Sequence, residues 1–297
     1  MQTLEIGTAR IDSVEESRVL FDPTMTVGAT PRTVLDHFDL LGPRLVDRET
    51  GKLKLAIQSF LIRTPDRTIL VDTCCGNGRD RPSAPFAHML DSSFLQNLEA
   101  LGVKPESIDL VRCTHLHVDH IGWNMRQDVN GWRPTFPNAE YRICGPEYEW
   151  WVHTLAKGGG SPHARVSFRE CVAPIVAAGL ARFVDADHVV EDSADLRIWF
   201  EELPGHTMHQ CGIKVRSGGA EAFIVADAVH HAVQFSFPNW ISQVHTDEPL
   251  ARKTLHSLID RYTDAPTIIL TSHSPGPCSA RLVKQDGRSC LRFLDEL

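Results

Sequence analysis

Along residues 53–63 (Leu-Lys-Leu-Ala-Ile-Gln-Ser-Phe-Leu-Ile-Arg) apolar and polar side chains alternate closely enough to predict a β-strand. Thr64-Pro65-Asp66-Arg67 predicts a turn, and residues 68–73 a second strand with Asp72 near its end, so the two read as a hairpin. Asp91-Ser92-Ser93 before Phe94, Leu95, Leu98 and Leu101, with Gly102 behind them, predicts a capped helix. Residues 108–114 form the next buried run, so helix, turn, strand and following loop make an α/β unit. Beyond it, residues 139–144 predict a short strand, and residues 146–155 a helix with Pro146 in its first turn. Residues 166–180 predict a helix broken at Pro174, and the glycine run at 158–160 a loop within one domain. Strands are predicted over 196–203, 210–215, 222–226 and 267–270, a helix over 246–262, and a strand pair after residue 273. Residues 4–11 read as a first strand, 22–44 as a long loop with a short helical piece, and 122–137 as an irregular loop. One domain over 1–297 is expected. Residues 1–50 are its N-terminal extension, which either covers a site or makes a homodimer contact.

Composition narrows this little. Hydrophobic residues at 42% and charged residues at 23% are ordinary for a globular chain. No apolar run approaches the roughly 18 residues of a spanning helix. The N-terminal Met1-Gln2-Thr3-Leu4-Glu5 lacks a signal peptide's basic and apolar regions, so a cytoplasmic protein with reduced cysteines is expected. A net charge of −8 disfavours nucleic acid, which needs a basic face, and a small molecule is the expected partner.

Chemistry concentrates in Thr114-His115-Leu116-His117-Val118-Asp119-His120-Ile121-Gly122. Three imidazoles and a carboxylate fall within six positions directly after an apolar strand. These are the ligand types of a zinc-like cation. In an extended backbone His115, His117 and Asp119 would share one face and His120 would point elsewhere. Three more strand ends carry ligand types: His206 in Pro204-Gly205-His206-Thr207, Asp227 after Ala226, and His273 after Ser272. Each alone reads as a turn residue, whereas the ordered set is specific. Asp72 at its own strand end would orient a ligating imidazole.

From Leu53 to the C-terminus these motifs resemble the metallo-β-lactamase superfamily. Residues 227–235 and 272–276 resemble its methyl parathion hydrolase branch, whose relatives include lactonases and esterases. The resemblance implies an α/β fold, a four-layer αββα sandwich with a dinuclear site at one edge. By that likeness His115, His117 and His206 hold one metal, Asp119, His120 and His273 a second, and Asp227 bridges both, with Asp72 behind them. It implies two divalent ions, zinc foremost, with manganese, cobalt or iron as alternatives. It further implies a bridging hydroxide that attacks a carbonyl or phosphoryl centre. Asp119 would pass a proton to the leaving group. No G-x-S-x-G is present to supply a serine nucleophile.

Departures separate the branches. Signal lactonases commonly carry tyrosine three residues after the bridging aspartate, where this chain has His230. Only 24 residues follow His273, too few for a glyoxalase II-like helical region. β-Lactamases generally lack the aspartate at 227. The expected reaction is therefore cleavage of a lactone or carboxylic ester of a small, largely apolar substrate, with phosphotriester hydrolysis the alternative. An iron-dependent redox enzyme and a structural metal protein are the rival classes. Trp123, Phe86, His230, Phe235 and Trp240 are the expected pocket residues, Trp123 foremost.

Overall fold

The computed structural model describes residues 3–296. The chain divides into two compact units. A central unit holds Ala9–Ser17 and Ile57–Ala186, and a terminal unit holds Met1–Thr8, Arg18–Ala56 and Asp187–Leu297.

In the central unit the predicted hairpin forms, with Leu53–Arg63 antiparallel to Thr68–Val71 and Phe60 opposite Val71. Thr64 Oγ1 accepts the Asp66 and Arg67 amides and closes the turn. Thr68–Val71, Leu110–Cys113, Glu140–Cys144 and Ala181–Val184 then run parallel in that order. Parallel neighbours need crossovers: helix Phe94–Ala100 lies in the first, the segment 114–139 makes the second, and helices Gly145–Ala156 and Pro162–Cys171 lie in the third. Pro174 lies in a separate short helix, Ala173–Ala177, as the break at that residue requires. Phe94 and Leu98 join Val111, Phe136, Tyr141, Ile143 and Trp151 in one core.

In the terminal unit Val189–Asp192, Leu196–Glu202, Cys211–Ser217 and Ala220–Ile224 form an antiparallel meander. Ile268–Leu270 adds parallel to Ala220–Ile224, and Ser279–Gln285 and Arg288–Phe293 complete the sheet. The crossover to Ile268–Leu270 includes helix Glu248–Tyr262, capped by Asp247, whose side chain accepts the Leu250 amide. Its Ala251, Leu255, Leu258 and Tyr262 are buried at helical spacing. Full burial is worth about 1.5–3 kcal/mol for each leucine of that face.

Several expectations change. Residues 4–11 are not one strand, because Gly7 at φ +55° turns the chain between Thr3–Ile6 and Ala9–Phe21. The stretch 22–44 holds the helices Pro31–Leu35 and most of Phe38–Leu45, the first closed by a Thr30–Thr33 capping box. Residues 122–137 contain a hairpin, Met125–Asp128 with Gly131–Pro134. Neither of its strands buries a full apolar face, so no alternation announced it. No described helix is long and apolar enough to cross a membrane.

Candidate functional site

In the central unit, strand Leu110–Cys113 delivers the chain into the histidine-rich loop. The loop is not extended. It turns at 117–120, where the His120 amide donates to the His117 carbonyl at 3.1 Å. His120 therefore folds back, and its ring centroid lies 4.1 Å from that of His115, correcting the expectation from strand alternation. His115 Nε2 and His117 Nδ1 are 3.1 Å apart, and His120 Nε2 is 3.7 Å from Asp119 Oδ2. His115 and His120 are buried, while His117 and Asp119 are partly open. Three imidazoles and a carboxylate so gathered match the donor set of a divalent transition metal.

Asp72 organises this loop. Its Oδ1 accepts the Thr114 amide at 2.7 Å, and its Oδ2 accepts the Thr114 hydroxyl at 2.9 Å. Oδ2 also lies 2.7 Å from His120 Nδ1. With the proton on Nδ1, the His120 Nε2 lone pair is left for a metal. The neighbouring segments are zipped together: Thr73 N donates to His120 O at 2.8 Å, Gly122 N to Cys74 O at 2.7 Å and Trp123 N to Thr73 O at 2.8 Å. A Cβ on Gly122 would sit 1.7 Å from Cys75 O, so only glycine permits this approach.

Glu16 completes the bracing and carried no signal in the sequence. Its buried carboxylate accepts the Cys75 amide at 2.8 Å, the Gly76 amide at 3.1 Å and Trp123 Nε1 at 2.6 Å. Ser92 Oγ adds a fourth contact at 3.3 Å. Burial pushes its pKa above the usual carboxylate value, and the bonds from Cys75, Trp123, Gly76 and Ser92 oppose that shift. Trp123 is thus a core residue, 5% exposed and stacked on Phe94 at 5.7 Å. Phe86 is exposed.

In the terminal unit, His206 stands after Gly205, whose φ is +125° and whose Cβ would lie 2.2 Å from Ala251 N. The Asp227 amide donates to Gln210 Oε1 at 3.2 Å. His273 Nδ1 lies 2.8 Å from Ala56 O, as suits an N–H donor, and its Nε2 lies 3.2 Å from both Asp227 carboxylate oxygens. Asp227 Oδ2 is also 3.5 Å from Nε2 of His206 and of His230. His245 packs its ring 5.5 Å from His206 and 5.0 Å from His230. Nothing local marks it, since its neighbours in space lie on separate loops.

Two further histidines of this unit have structural partners. His231 Nε2 lies 3.1 Å from Leu45 O, its Nδ1 accepts the Val233 amide, and burial lowers its pKa to about 4, so the ring stays neutral. His209 meets Glu202 at 3.2 Å on a more open part of the surface. Phe235 is buried, and Trp240 stacks on Phe237 at 4.4 Å.

The family model described as Metallo-beta-lactamase superfamily matches residues 54–273. The N-acyl homoserine lactonase AiiB of Agrobacterium fabrum is 27% identical over 129 residues, 40% of this chain and 40% of that protein. The chain thus matches about two-fifths of that relative's length. The AiiB lactonase of Rhizobium rhizogenes is 26% identical over the same shares. Among solved structures, the hydrolase AbOPH of the beta lactamase superfamily superposes with a TM-score of 0.78 at 21% identity, covering 98% of this chain and 96% of that one. AidC, a dizinc quorum-quenching lactonase in complex with an N-hexanoyl-L-homoserine product, gives a TM-score of 0.78 at 19% identity over the same shares. At those identities the likeness is one of fold.

Proposed function

The chain belongs to the metallo-beta-lactamase superfamily and has its α/β fold, and we propose that it is a metal-dependent hydrolase that opens a lactone or carboxylic ester of a small, largely apolar substrate. The observation that carries this reading is the loop at 115–120, where His115, His117, Asp119 and His120 converge and Asp72 sets the His120 tautomer. The ligand assignment follows the family motifs: His115, His117 and His206 for one ion, Asp119, His120 and His273 for the other, and Asp227 for both. Both units offer buried imidazole nitrogens beside a carboxylate, the chemistry that divalent cations require. Bound divalent ions supply polarisation of an ester or lactone carbonyl and lower the pKa of water. Asp72 keeps the His120 proton on Nδ1, and Asp119 passes a proton to the departing oxygen. Zinc is the expected metal.

The AiiB relatives are named as N-acyl homoserine lactonases, so a neutral lactone bearing an acyl chain is the first substrate to test. His230, in the slot where signal lactonases commonly carry tyrosine, points to a different way of holding the carbonyl. Phosphotriester hydrolysis is the second reading, favoured by residues 227–235 and 272–276.

The deciding experiment assays metal-quantified protein against lactones, aryl esters, thioesters and phosphotriesters, with His117→Ala beside it. Turnover of a lactone or ester that collapses in His117→Ala supports the proposal. Turnover confined to phosphotriesters moves it to the second reading. Inactivity on all four classes, or oxygen consumption by an iron-loaded enzyme, sinks it.

A further inference from the structure

We propose that His163 is a substrate-positioning residue of the central unit, whose Nε2 accepts a hydrogen bond from a hydroxyl or N–H on the alcohol part of the ester or lactone. It stands in the first turn of helix Pro162–Cys171, where Ser161 Oγ caps the helix by accepting the Ala164 amide at 3.2 Å. This role rests on the hydrolase reading and deepens it, because it says which part of a substrate is selected.

Packing sets the helix against the histidine-rich loop. At its C-terminal end the Cys171 carbonyl accepts Asn124 Nδ2 at 3.1 Å, and Asn124 lies just beyond the ligand run. At its N-terminal end a Cβ on Gly160 would sit 3.4 Å from Trp151 Cζ3 and 3.9 Å from Ala164 Cβ. Trp151 in turn meets the His117 ring edge-on at 5.6 Å. The Asp119 charge also reaches the His163 ring. His117 and Asp119 are the partly open members of the loop, so His163 stands on its open side.

Ser83 holds the ring from behind. His163 Nδ1 lies 3.4 Å from Ser83 Oγ, and the Ser83 backbone also favours a proton on the ring. With Nδ1–H turned to Ser83, Nε2 carries the lone pair. Nε2 has no hydrogen-bond partner among the described residues, and it is open to solvent. Burial lowers the His163 pKa. Asp119 opposes the shift, Arg81 reinforces it and the Ser83 backbone opposes it. The ring is therefore uncharged at neutral pH, and its lone pair is available to a donor.

The test compares the hydroxypropyl, butyl and methoxyethyl esters of butanoic acid on metal-loaded full-length protein. The terminal hydroxyl can donate, the butyl chain cannot, and the ether can only accept. Dividing kcat/KM for the hydroxypropyl ester by that for the butyl ester cancels general losses of folding or metal. That ratio should fall about 3–10-fold from wild type to His163→Leu, the worth of one neutral hydrogen bond. His163→Gln, whose side-chain oxygen accepts, should recover part of it. The ratio of methoxyethyl to butyl ester should be equal in wild type and His163→Leu. An unchanged hydroxypropyl ratio in His163→Leu overturns the proposal whatever the absolute rates, as does a fall confined to the methoxyethyl ratio. If none of the three esters is turned over, labelling of wild type decides. Diethylpyrocarbonate modification of His163, mapped by mass spectrometry, should slow with the hydroxypropyl amide of butanoic acid and not with the butyl amide. Equal labelling with the two amides overturns the proposal even where other esters or lactones are hydrolysed, so its failure is distinct from that of the hydrolase reading.

Discussion

Replacing Asp72 by asparagine keeps the shape of the side chain and removes its capacity to accept on both sides. In wild type the carboxylate takes three bonds, from Thr114 N, Thr114 Oγ1 and His120 Nδ1, at 2.7, 2.9 and 2.7 Å. The asparagine oxygen can keep the Thr114 amide. Its NH₂ then faces the Thr114 hydroxyl and the His120 N–H. The hydroxyl can rotate to accept, but the imidazole must move its proton to Nε2 or turn away. A hydrogen bond to a charged acceptor contributes about 1.5–3 kcal/mol, so losing the His120 bond and weakening the others should cost about 2–4 kcal/mol of stability. A ligating histidine that loses its orienting carboxylate typically binds metal about 10–100-fold more weakly. Urea unfolding of metal-stripped protein reads the first quantity, and competitive zinc titration of folded protein reads the second. If Asp72→Asn unfolds earlier but binds zinc within about threefold of wild type, Asp72 merely anchors Thr114 and does not orient His120.

Gly122→Ala should be among the most damaging single-methyl changes in the chain, because its Cβ would meet Cys75 O at 1.7 Å. A loss beyond about 3 kcal/mol is expected, and a melting temperature within a degree or two of wild type would refute the close approach. Glu16→Gln tests the buried carboxylate. A folded-state pKa raised by burial means its stabilising contribution is fully present below the unfolded value of 4.5 and is lost as pH rises through the raised folded value. The stability advantage of wild type over Glu16→Gln should therefore shrink across that window in urea titrations, and a constant difference would contradict it. Removing metal with a chelator should abolish hydrolysis. Readding zinc at 100 times its dissociation constant should restore about 2.7 kcal/mol of stability for each site, and an unchanged unfolding midpoint would argue against metal binding by the folded chain.

The amino-acid pattern alone placed the strands that carry the candidate ligands. Runs such as 108–114, with Ile108, Leu110, Val111 and Cys113, and 267–270, with Ile268, Ile269 and Leu270, are rich in apolar residues because strands covered on both faces lose nothing by being so, and the polar residue after each run marks where the chain leaves the sheet. His115, His117, Asp119, His120, His206, Asp227 and His273 were legible for that reason, as was helix Glu248–Tyr262 from its buried spacing. Tertiary structure alone decided where the side chains point and what holds them. The fold-back of His120 depends on a turn and on Asp72, which lies 48 residues earlier. Trp123 was the first choice for a pocket, yet it stacks on Phe94 and donates to Glu16, a carboxylate 107 residues away. His245 joins His206 and His230 across separate loops whose order in the chain says nothing of distance. Periodicity reports which face of an element is buried. It carries no information on hydrogen bonds between distant segments, and in this protein such bonds position His120, Asp227 and His273.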